Sequence, residues 1–174
     1  MCYSATAIAN YFIDKSIKEK RGLTPLHIIK MTYFSHAVFF NSNHKALFSD
    51  PVVAWKHGPV IVSLYHSLKC YGNNPVTDMI SVAKPVSDGG KFSFKLVIPS
   101  IRTDDTEIID FLNLAWEKLS SIDTWRLREY SHEKGGAWYE TVKEKIDDPS
   151  DDKLLSNLPR NLTILDSVIE RCGR

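Results

Sequence analysis

The sequence predicts a mainly α protein of the α+β class: a single helical domain with a central buried helix and one small antiparallel β-hairpin. Three observations support this prediction. Residues 24–40 repeat apolar side chains at helical spacing on more than one side, which is typical of a central helix. Amphipathic helical patterns fill most of the remaining chain, and clear apolar–polar alternation is confined to residues 92–98. A length of 174 residues allows one domain with a sizeable core.

Composition excludes several classes of protein. The formal net charge is +1, so no field across the whole domain attracts nucleic acid or an anionic membrane. Three widely spaced cysteines, Cys2, Cys70 and Cys172, do not suggest a disulfide framework. The first residues lack the pattern of a signal peptide, and no apolar run approaches the roughly 20 residues that span a bilayer. We therefore expect a cytoplasmic protein without a membrane partner.

The first two helices have clear boundaries. Ser4 or Thr6 is suited to cap a first helix that runs to about Lys20. Thr24 and Pro25 then form a favourable start for the second helix, with threonine as the N-cap and proline in the first turn. The second helix is expected to end at residues 41–43 and to form the core. Its main apolar stripe consists of Leu26, Ile29, Tyr33, Ala37 and Phe40.

A corner at Gly58 follows. Residues 51–55 are expected to be a short extended segment. Gly58 can adopt backbone angles closed to other residues, and Pro59 is suited to the first position of a helix. We therefore predict a helix from Pro59 to Tyr71, ended by Gly72. Its apolar stripe consists of Val60, Leu64, Leu68 and Tyr71.

Residues 78–84 and 91–98 are predicted to form the hairpin, with a turn at Asp88-Gly89-Gly90. Apolar side chains alternate with others along its second strand, so this strand is expected to be half-buried. Because an isolated hairpin is marginally stable, we expect it to pack on the helices. The apolar positions are Phe92, Phe94, Leu96 and Ile98.

The C-terminal part is predicted to be helical. Residues 103–105 cap a helix that runs to about residue 119, and Asp104 with Glu107 has the spacing of a capping box. Further helices are expected at 124–130, 137–146, 153–158 and 162–172. An acidic break at 147–152 precedes the last two of these helices, so we expect a domain at 1–148 and a helical extension at 149–174 that packs on it.

No combination of residues indicates catalysis. The chain lacks a Gly-x-Ser-x-Gly elbow, and its paired carboxylates lie at helix caps or in the acidic break. His66 and Cys70 have the spacing of two zinc ligands on one helix, but no second pair accompanies them. We therefore expect a protein that is not an enzyme and that holds neither a metal nor a cofactor.

His132 and Trp138 allow two interpretations, because two glycines stand between them. In the first, His132 satisfies the end of a helix by hydrogen bonding and Trp138 fills the core. In the second, both belong to a binding surface.

Three segments resemble the Panacea antitoxin domain, a phage-associated group that includes GepA-like and SocA-like proteins. The first is Leu-Thr-Pro-Leu-His-Ile-Ile-Lys-Met-Thr-Tyr-Phe at 23–34. The second is Ala-Trp-Lys-His-Gly-Pro-Val at 54–60, followed by Tyr65 and by Tyr-Gly at 71–72. The third is Ser-His-Glu at 131–133 with Trp138. His57 departs from the family pattern, which usually has tyrosine at this place, and His27 takes a common lysine place.

The resemblance implies a non-enzymatic antitoxin that neutralises a co-encoded toxin by direct contact, or a proteolytic adaptor that presents the toxin to a cytoplasmic protease. Exposed aromatic residues would support a binding role, and the candidates from sequence are Tyr3, Tyr71, Trp138 and Tyr139. The residues that carry the family signature, and that are candidates for interaction, are Lys30, Tyr33, Trp55, Lys56, His57, Gly58, Pro59, Tyr65, Tyr71, Gly72, His132 and Trp138.

The alternative is a DNA-binding transcriptional autoregulator of a phage or toxin–antitoxin locus. In this interpretation the hairpin serves as a wing, and the basic residues that close the first helix contact phosphate. The same residues are also favoured there by the helix dipole, which is the simpler explanation. They are Lys15, Lys18, Lys20 and Arg21.

Overall fold

The structure is a computed structural model that describes residues 2–88 and 91–172. Its helices are α1 Ala5–Lys18, α2 Pro25–Asn43, α3 Val62–Leu68, α4 Thr106–Leu119, α5 Thr124–Ser131, α6 Ala137–Lys143, α7 Asp152–Leu155 and α8 Asp166–Cys172. Its strands are β1 Val52–Trp55, β2 Gly58–Ile61, β3 Val82–Asp88, β4 Lys91–Val97 and β5 Thr163–Ile164. The predicted mainly α class is confirmed. The described residues also contain a second antiparallel sheet that the sequence did not suggest.

Helix α2 is the centre of the domain, as predicted. Thr24 caps its N-terminus, and its surface packs against α1, α3, α4, α5, α8 and β2. Its buried hydroxyl groups are satisfied within the helix: Thr32 Oγ1 donates to the Ile28 carbonyl and Ser35 Oγ to the Met31 carbonyl, both at 2.8 Å. These two hydroxyl groups therefore lie in the core with their donors paired.

The first sheet has the strand order β2-β1-β5, and both pairings are antiparallel. It shows that the predicted helix from Pro59 to Tyr71 begins too early. Residues 58–61 form β2, helix α3 begins at Val62, and a short 3₁₀ turn at Lys69–Tyr71 precedes Gly72. The reason is the turn at residues 56–57, which returns the chain alongside β1. Proline is tolerated in β2 because β2 is an edge strand.

Strand β5 supplies the third strand, with Ile164 opposite Val52. The predicted helix at 162–172 therefore begins only at Asp166, after the chain has left this sheet. Two side-chain contacts also join α8 to α2 and its C-cap: His36 Nε2 lies 3.4 Å from Asp166 Oδ1, and Nδ1 of the C-cap residue His44 lies 3.1 Å from Glu170 Oε1.

The second sheet is a two-stranded ribbon formed by β3 and β4 (residues 82–88 and 91–97), in register from Val82↔Val97 to Asp88↔Lys91. Its first strand begins at Val82 rather than at residue 78, and the predicted turn glycines lie outside the described residues. The prediction that this hairpin packs on the helices is wrong, because the apolar side chains of β4 are exposed. Asn10 of α1 is hydrogen-bonded to Ile80 and Pro99, and the large side chains of β4 between these two points are exposed.

Helix α4 begins without the expected capping box. Its N-cap Asp105 makes no capping hydrogen bond with its side chain, which instead accepts from the Tyr3 hydroxyl at 2.7 Å. Asp104 pairs with Arg102 at 3.4 Å. The N-terminus of the chain and the start of α4 are therefore tied together. In the residues that the structure describes, no helix has both the length and the apolar character needed to cross a bilayer.

Candidate functional site

Three helices surround the turn between β1 and β2. The side chain of Lys30, on α2, donates from Nζ to the His57 carbonyl at 3.0 Å and to the Pro59 carbonyl at 3.2 Å. Trp138, on α6, donates from Nε1 to the Trp55 carbonyl at 2.9 Å. These donors satisfy backbone carbonyls that face the helices and would otherwise be unpaired. We call this region the turn junction: residues 55–59 with Lys30, Ser131, His132 and Trp138.

Lys30 is the most unusual residue of the turn junction because it is a fully buried lysine. Among the described residues, its hydrogen-bond partners are backbone carbonyls rather than carboxylates. Burial, and secondarily the charge of Arg128, lowers the pKa of Lys30 to about 7. Since a neutral amine still carries two N–H groups, both carbonyl contacts survive deprotonation.

Gly58 completes the contact between the turn and the helices. Its φ of +99° is one that residues with a side chain rarely adopt. An added Cβ atom would lie 2.7 Å from Ser131 Oγ and 2.9 Å from His132 Cε1, and it would also collide with Lys30 Nζ. Glycine is therefore required both by the backbone angle and by the space.

His132 and Trp138 follow the first of the two interpretations. His132 is the C-cap of α5, and its Nδ1 lies 2.7 Å from the Arg128 carbonyl, which places a proton on Nδ1. Trp138 is 1% exposed, and its ring centroid lies 4.1 Å from that of His132. Burial lowers the pKa of His132, so the neutral ring is favoured near neutral pH. The prediction that Trp138 is an exposed aromatic residue is therefore wrong.

Of the remaining signature residues, Trp55, Lys56 and Tyr65 lie at or beside the turn junction. Tyr71 and Gly72 lie apart from it. Trp55 donates from Nε1 to the Arg160 carbonyl at 2.9 Å, and its ring meets Tyr65 edge-on at 5.0 Å. Lys56 pairs with Asp152 at 3.1 Å. Tyr33 is buried in α2, while Tyr71 lies elsewhere, with its hydroxyl donating to Asp78 at 3.2 Å. Gly72 has a φ of +57° and open space around it.

The aromatic residues proposed from sequence as exposed candidates are not the exposed ones. Tyr3, Tyr71 and Tyr139 are half-buried, so this expectation is wrong. The exposed fractions are instead 86% for Phe92, 76% for Phe94 and 67% for Trp125.

Trp125 lies on α5 within a group of aromatic and arginine side chains. The Arg128 guanidinium lies 6.0 Å from the Trp125 ring, and that of Arg126 lies 5.5 Å from the Tyr130 ring. We call these four residues the α5 patch. Their spacings of three and four residues were present in the sequence and could have revealed the patch.

Three of the four basic residues at the end of α1 have partners within the protein. Lys15 donates to Asn113 Oδ1 at 2.8 Å, Lys18 pairs with Asp14 at 2.6 Å, and Arg21 lies 3.7 Å from a Glu19 oxygen. These contacts support the structural explanation of the cluster. Among residues 2–88 and 91–172, no three His, Cys, Asp or Glu side chains are grouped as a metal site requires.

The turn junction unites all three segments of the sequence resemblance: Lys30 from the first, Gly58 from the second, and His132 with Trp138 from the third. The sequence model of the family described as "Antitoxin SocA-like, Panacea domain" matches residues 28–139. The chain belongs to this family. The Panacea domain signature therefore coincides with a region of internal contacts between the turn and three helices.

A curated relative supports the same family. Antitoxin SocA of Caulobacter vibrioides (strain NA1000 / CB15N) is 28% identical over 136 residues, which make up 77% of this chain and 68% of the relative. No solved structure matches the chain. The matched Panacea segment begins within α2 and ends within α6, so it includes the turn junction, the α5 patch and the β3–β4 ribbon.

Proposed function

We propose that this Panacea domain is a non-enzymatic antitoxin that neutralises a toxin by binding it directly. Family membership supports an antitoxin role. The observation that carries direct contact is the exposure of large aromatic and apolar side chains, chiefly Phe92, Phe94 and Trp125. Large exposed apolar patches commonly mark binding surfaces, and aromatic residues dominate interface energetics.

The turn junction has a structural role in this proposal. The side chains of Lys30, His132 and Trp138 are hydrogen-bonded to backbone carbonyls, and Lys30 is fully buried. A reacting group must reach its substrate, and a fully buried ammonium cannot. The proposal therefore involves no chemical step and no cofactor, and the signature residues act by holding the surfaces in place.

The test is coexpression with the product of each adjacent reading frame. We expect one product to arrest growth when expressed alone, to be neutralised by this chain, and to copurify with it as a complex of defined stoichiometry. Neutralisation without a physical complex would contradict direct contact. If no adjacent product is toxic or bound, the proposal itself is wrong.

The adaptor role is a second form of the same proposal. An adaptor needs two separate surfaces, and the described residues offer the α5 patch in addition to the ribbon. Arginine and aromatic side chains are enriched at interface hot spots. If the protein is an adaptor, the half-life of the toxin will shorten when this chain is present, and inhibition of cytoplasmic proteases will restore it.

DNA binding is favoured by one observation, the exposed Lys84 and Lys95 on the ribbon. Against it, Lys15, Lys18 and Arg21 have partners within the protein. A gel-shift titration with the promoter of the locus tests whether the protein binds DNA. Phosphate contacts would give an affinity that falls steeply with salt.

Two further proposals concern context. The three cysteines are free, as suits the reducing cytoplasm in which we propose that the protein acts.

We also propose that residues 149–174 are an extension that acts together with the domain at 1–148. The pairing of β5 with β1 and the contact of Lys56 with Asp152 support this arrangement.

A further inference from the structure

One face of the β3–β4 ribbon is apolar and uncovered. Phe92, Phe94 and Leu96 are 86%, 76% and 69% exposed, and Ile98 at the base is 52% exposed. They lie on one face because alternate residues of a strand point the same way. The residues opposite them on β3 are small or apolar: Ser87 faces Phe92, Pro85 faces Phe94 and Ala83 faces Leu96. Four large side chains thus form a continuous apolar surface.

The base of the ribbon is firmly held. Asn10, a fully buried residue of α1, donates from Nδ2 to the carbonyls of Ile80 and Pro99, both at 2.9 Å. Its Oδ1 accepts from the Ile80 amide at 2.8 Å. One side chain therefore joins the chain entering the ribbon to the chain leaving it. The apolar face of the ribbon is therefore exposed although both ends of the ribbon are hydrogen-bonded to α1.

The opposite face of the ribbon is cationic. Lys84 stands directly opposite Lys95, and like charges in this position destabilise a strand pair. Residues 82–97 contain three lysines and one aspartate, a formal charge of +2, whereas the whole chain carries +1. No ion pair of Lys84 or Lys95 occurs among the described residues. A partner with carboxylates would relieve this repulsion.

The exposed area argues against a second copy of the chain as the occupant. Large aromatic side chains bury about 150–250 Å² each, so the four apolar residues at their observed exposure offer roughly 500 Å². Two copies joined through this face would bury roughly 1,000 Å² in total, below the roughly 1,200–2,000 Å² of stable interfaces. A cleft in a partner protein that encloses both faces of the ribbon would bury more surface than two copies joined through one face. The phosphates of duplex DNA would pair with the lysines but would leave the phenylalanines without a partner.

We propose that the β3–β4 ribbon is the element that binds the toxin, and that it inserts into a cleft with one apolar wall and one acidic wall. The apolar wall receives Phe92 and Phe94, and carboxylates of the acidic wall pair with Lys84 and Lys95. This inference rests on the proposed function and names the surface and the partner chemistry that direct contact would use.

The test measures the affinity of the full-length chain for the toxic product of the adjacent reading frame, by calorimetry. Phe92→Ser/Phe94→Ser removes the apolar anchors, and Leu114→Ser/Leu165→Ser is the matched control at two exposed leucines elsewhere. We expect the ribbon variant to weaken binding at least about 100-fold, given the size of hot-spot effects, and the control variant to remain within about threefold of wild type. Thermal unfolding of each variant shows whether it is folded.

A second variant, Lys84→Glu/Lys95→Glu, tests the acidic wall. We expect about tenfold slower association and a loss of its salt dependence, because charges at an interface act mainly on the rate of encounter. Unchanged association would overturn the acidic wall. Wild-type affinity in the phenylalanine variant would overturn the ribbon as the binding element while direct contact stands. Failure of the wild-type chain to bind would overturn the proposed function and this inference together. Loss of promoter binding with toxin binding intact would identify the ribbon as a DNA wing and also overturn the inference.

Discussion

The described residues contain two antiparallel hairpins that differ in burial, length and attachment. The β1–β2 hairpin is buried, and donors from α2 and α6 satisfy the carbonyls of its turn. The β3–β4 ribbon is longer, is attached through Asn10, and exposes its largest apolar side chains. The first hairpin is therefore suited to hold the fold, and the second is suited to meet a partner. Substitutions in the two hairpins should therefore differ in their effects on stability and on binding.

The largest effect is expected at the buried turn, for Gly58→Ala. The φ of +99° and the collision with Lys30 Nζ act together, so we expect a loss of about 3–5 kcal/mol in the free energy of unfolding. Gly72→Ala is the matched control, because Gly72 also has a positive φ, +57°, but open space. The control should lose about 1–3 kcal/mol, from backbone strain alone. Equal losses in urea unfolding would show that packing against the turn is unimportant.

The attachment of the ribbon is expected to give the next largest effect. Asn10→Ala removes three hydrogen bonds from a buried site, and we expect a loss of about 2–4 kcal/mol. Hydrogen exchange at the Ile80 amide should accelerate. Asn113→Ala, at a half-buried asparagine, serves as the control and should cost less than about 1 kcal/mol. Should both variants lose the same amount, Asn10 would not be a special anchor.

Lys30 is expected to make stability depend on pH. Its pKa falls from 10.5 in the usual environment to about 7 in the fold, so between these values the unfolded chain binds more protons. The stability of wild type relative to Lys30→Met should therefore rise from pH 7 to pH 9, by at most about 1.4 kcal/mol per pH unit. Urea unfolding of both proteins measures the difference. Lys56→Met, at an ion pair nearer the surface, should show little change, and a constant difference for Lys30→Met would mean that Lys30 remains charged.

The smallest effect on stability is expected on the ribbon. Phe94→Ser should change the free energy of unfolding by less than about 0.5 kcal/mol, because its side chain is 76% exposed. Val53→Ser, in the buried hairpin, should cost about 2–4 kcal/mol, because Val53 is 5% exposed. Thermal unfolding of the two variants compares the hairpins directly. A large loss for Phe94→Ser would show that the apolar face of the ribbon packs on the domain.

Local sequence patterns predicted much of the helical framework. Thr24 and Pro25 marked the start of α2, and Gly72 marked the end of the segment that follows α3. Pro59 was misjudged because proline suits both the first turn of a helix and an edge strand, and only pairing with β1 distinguishes them. The capping box at Asp104 failed because Asp105 is engaged by Tyr3, a residue 102 positions away.

Contacts over long sequence separations also limited the prediction of the site. Alternation in residues 92–98 correctly indicated a strand, but it cannot show whether another element covers the apolar face. The resemblance named Lys30, Gly58 and His132 as signature residues without showing that they meet at one turn. Trp125, by contrast, belonged to a pattern visible in the sequence, and it was missed because that pattern could equally describe an ordinary solvated helix face.

Hydrogen exchange measured on the full-length chain, alone and in complex with the toxic product of the adjacent reading frame, tests the division between the two hairpins most directly. In the free protein, amides of β1 and β2 should exchange at the rate of global unfolding, because this hairpin is buried. On binding, added protection should appear at residues 92–97 and be absent at residues 52–61. Added protection on the α5 patch with an unchanged ribbon would contradict the assignment of binding to the β3–β4 ribbon.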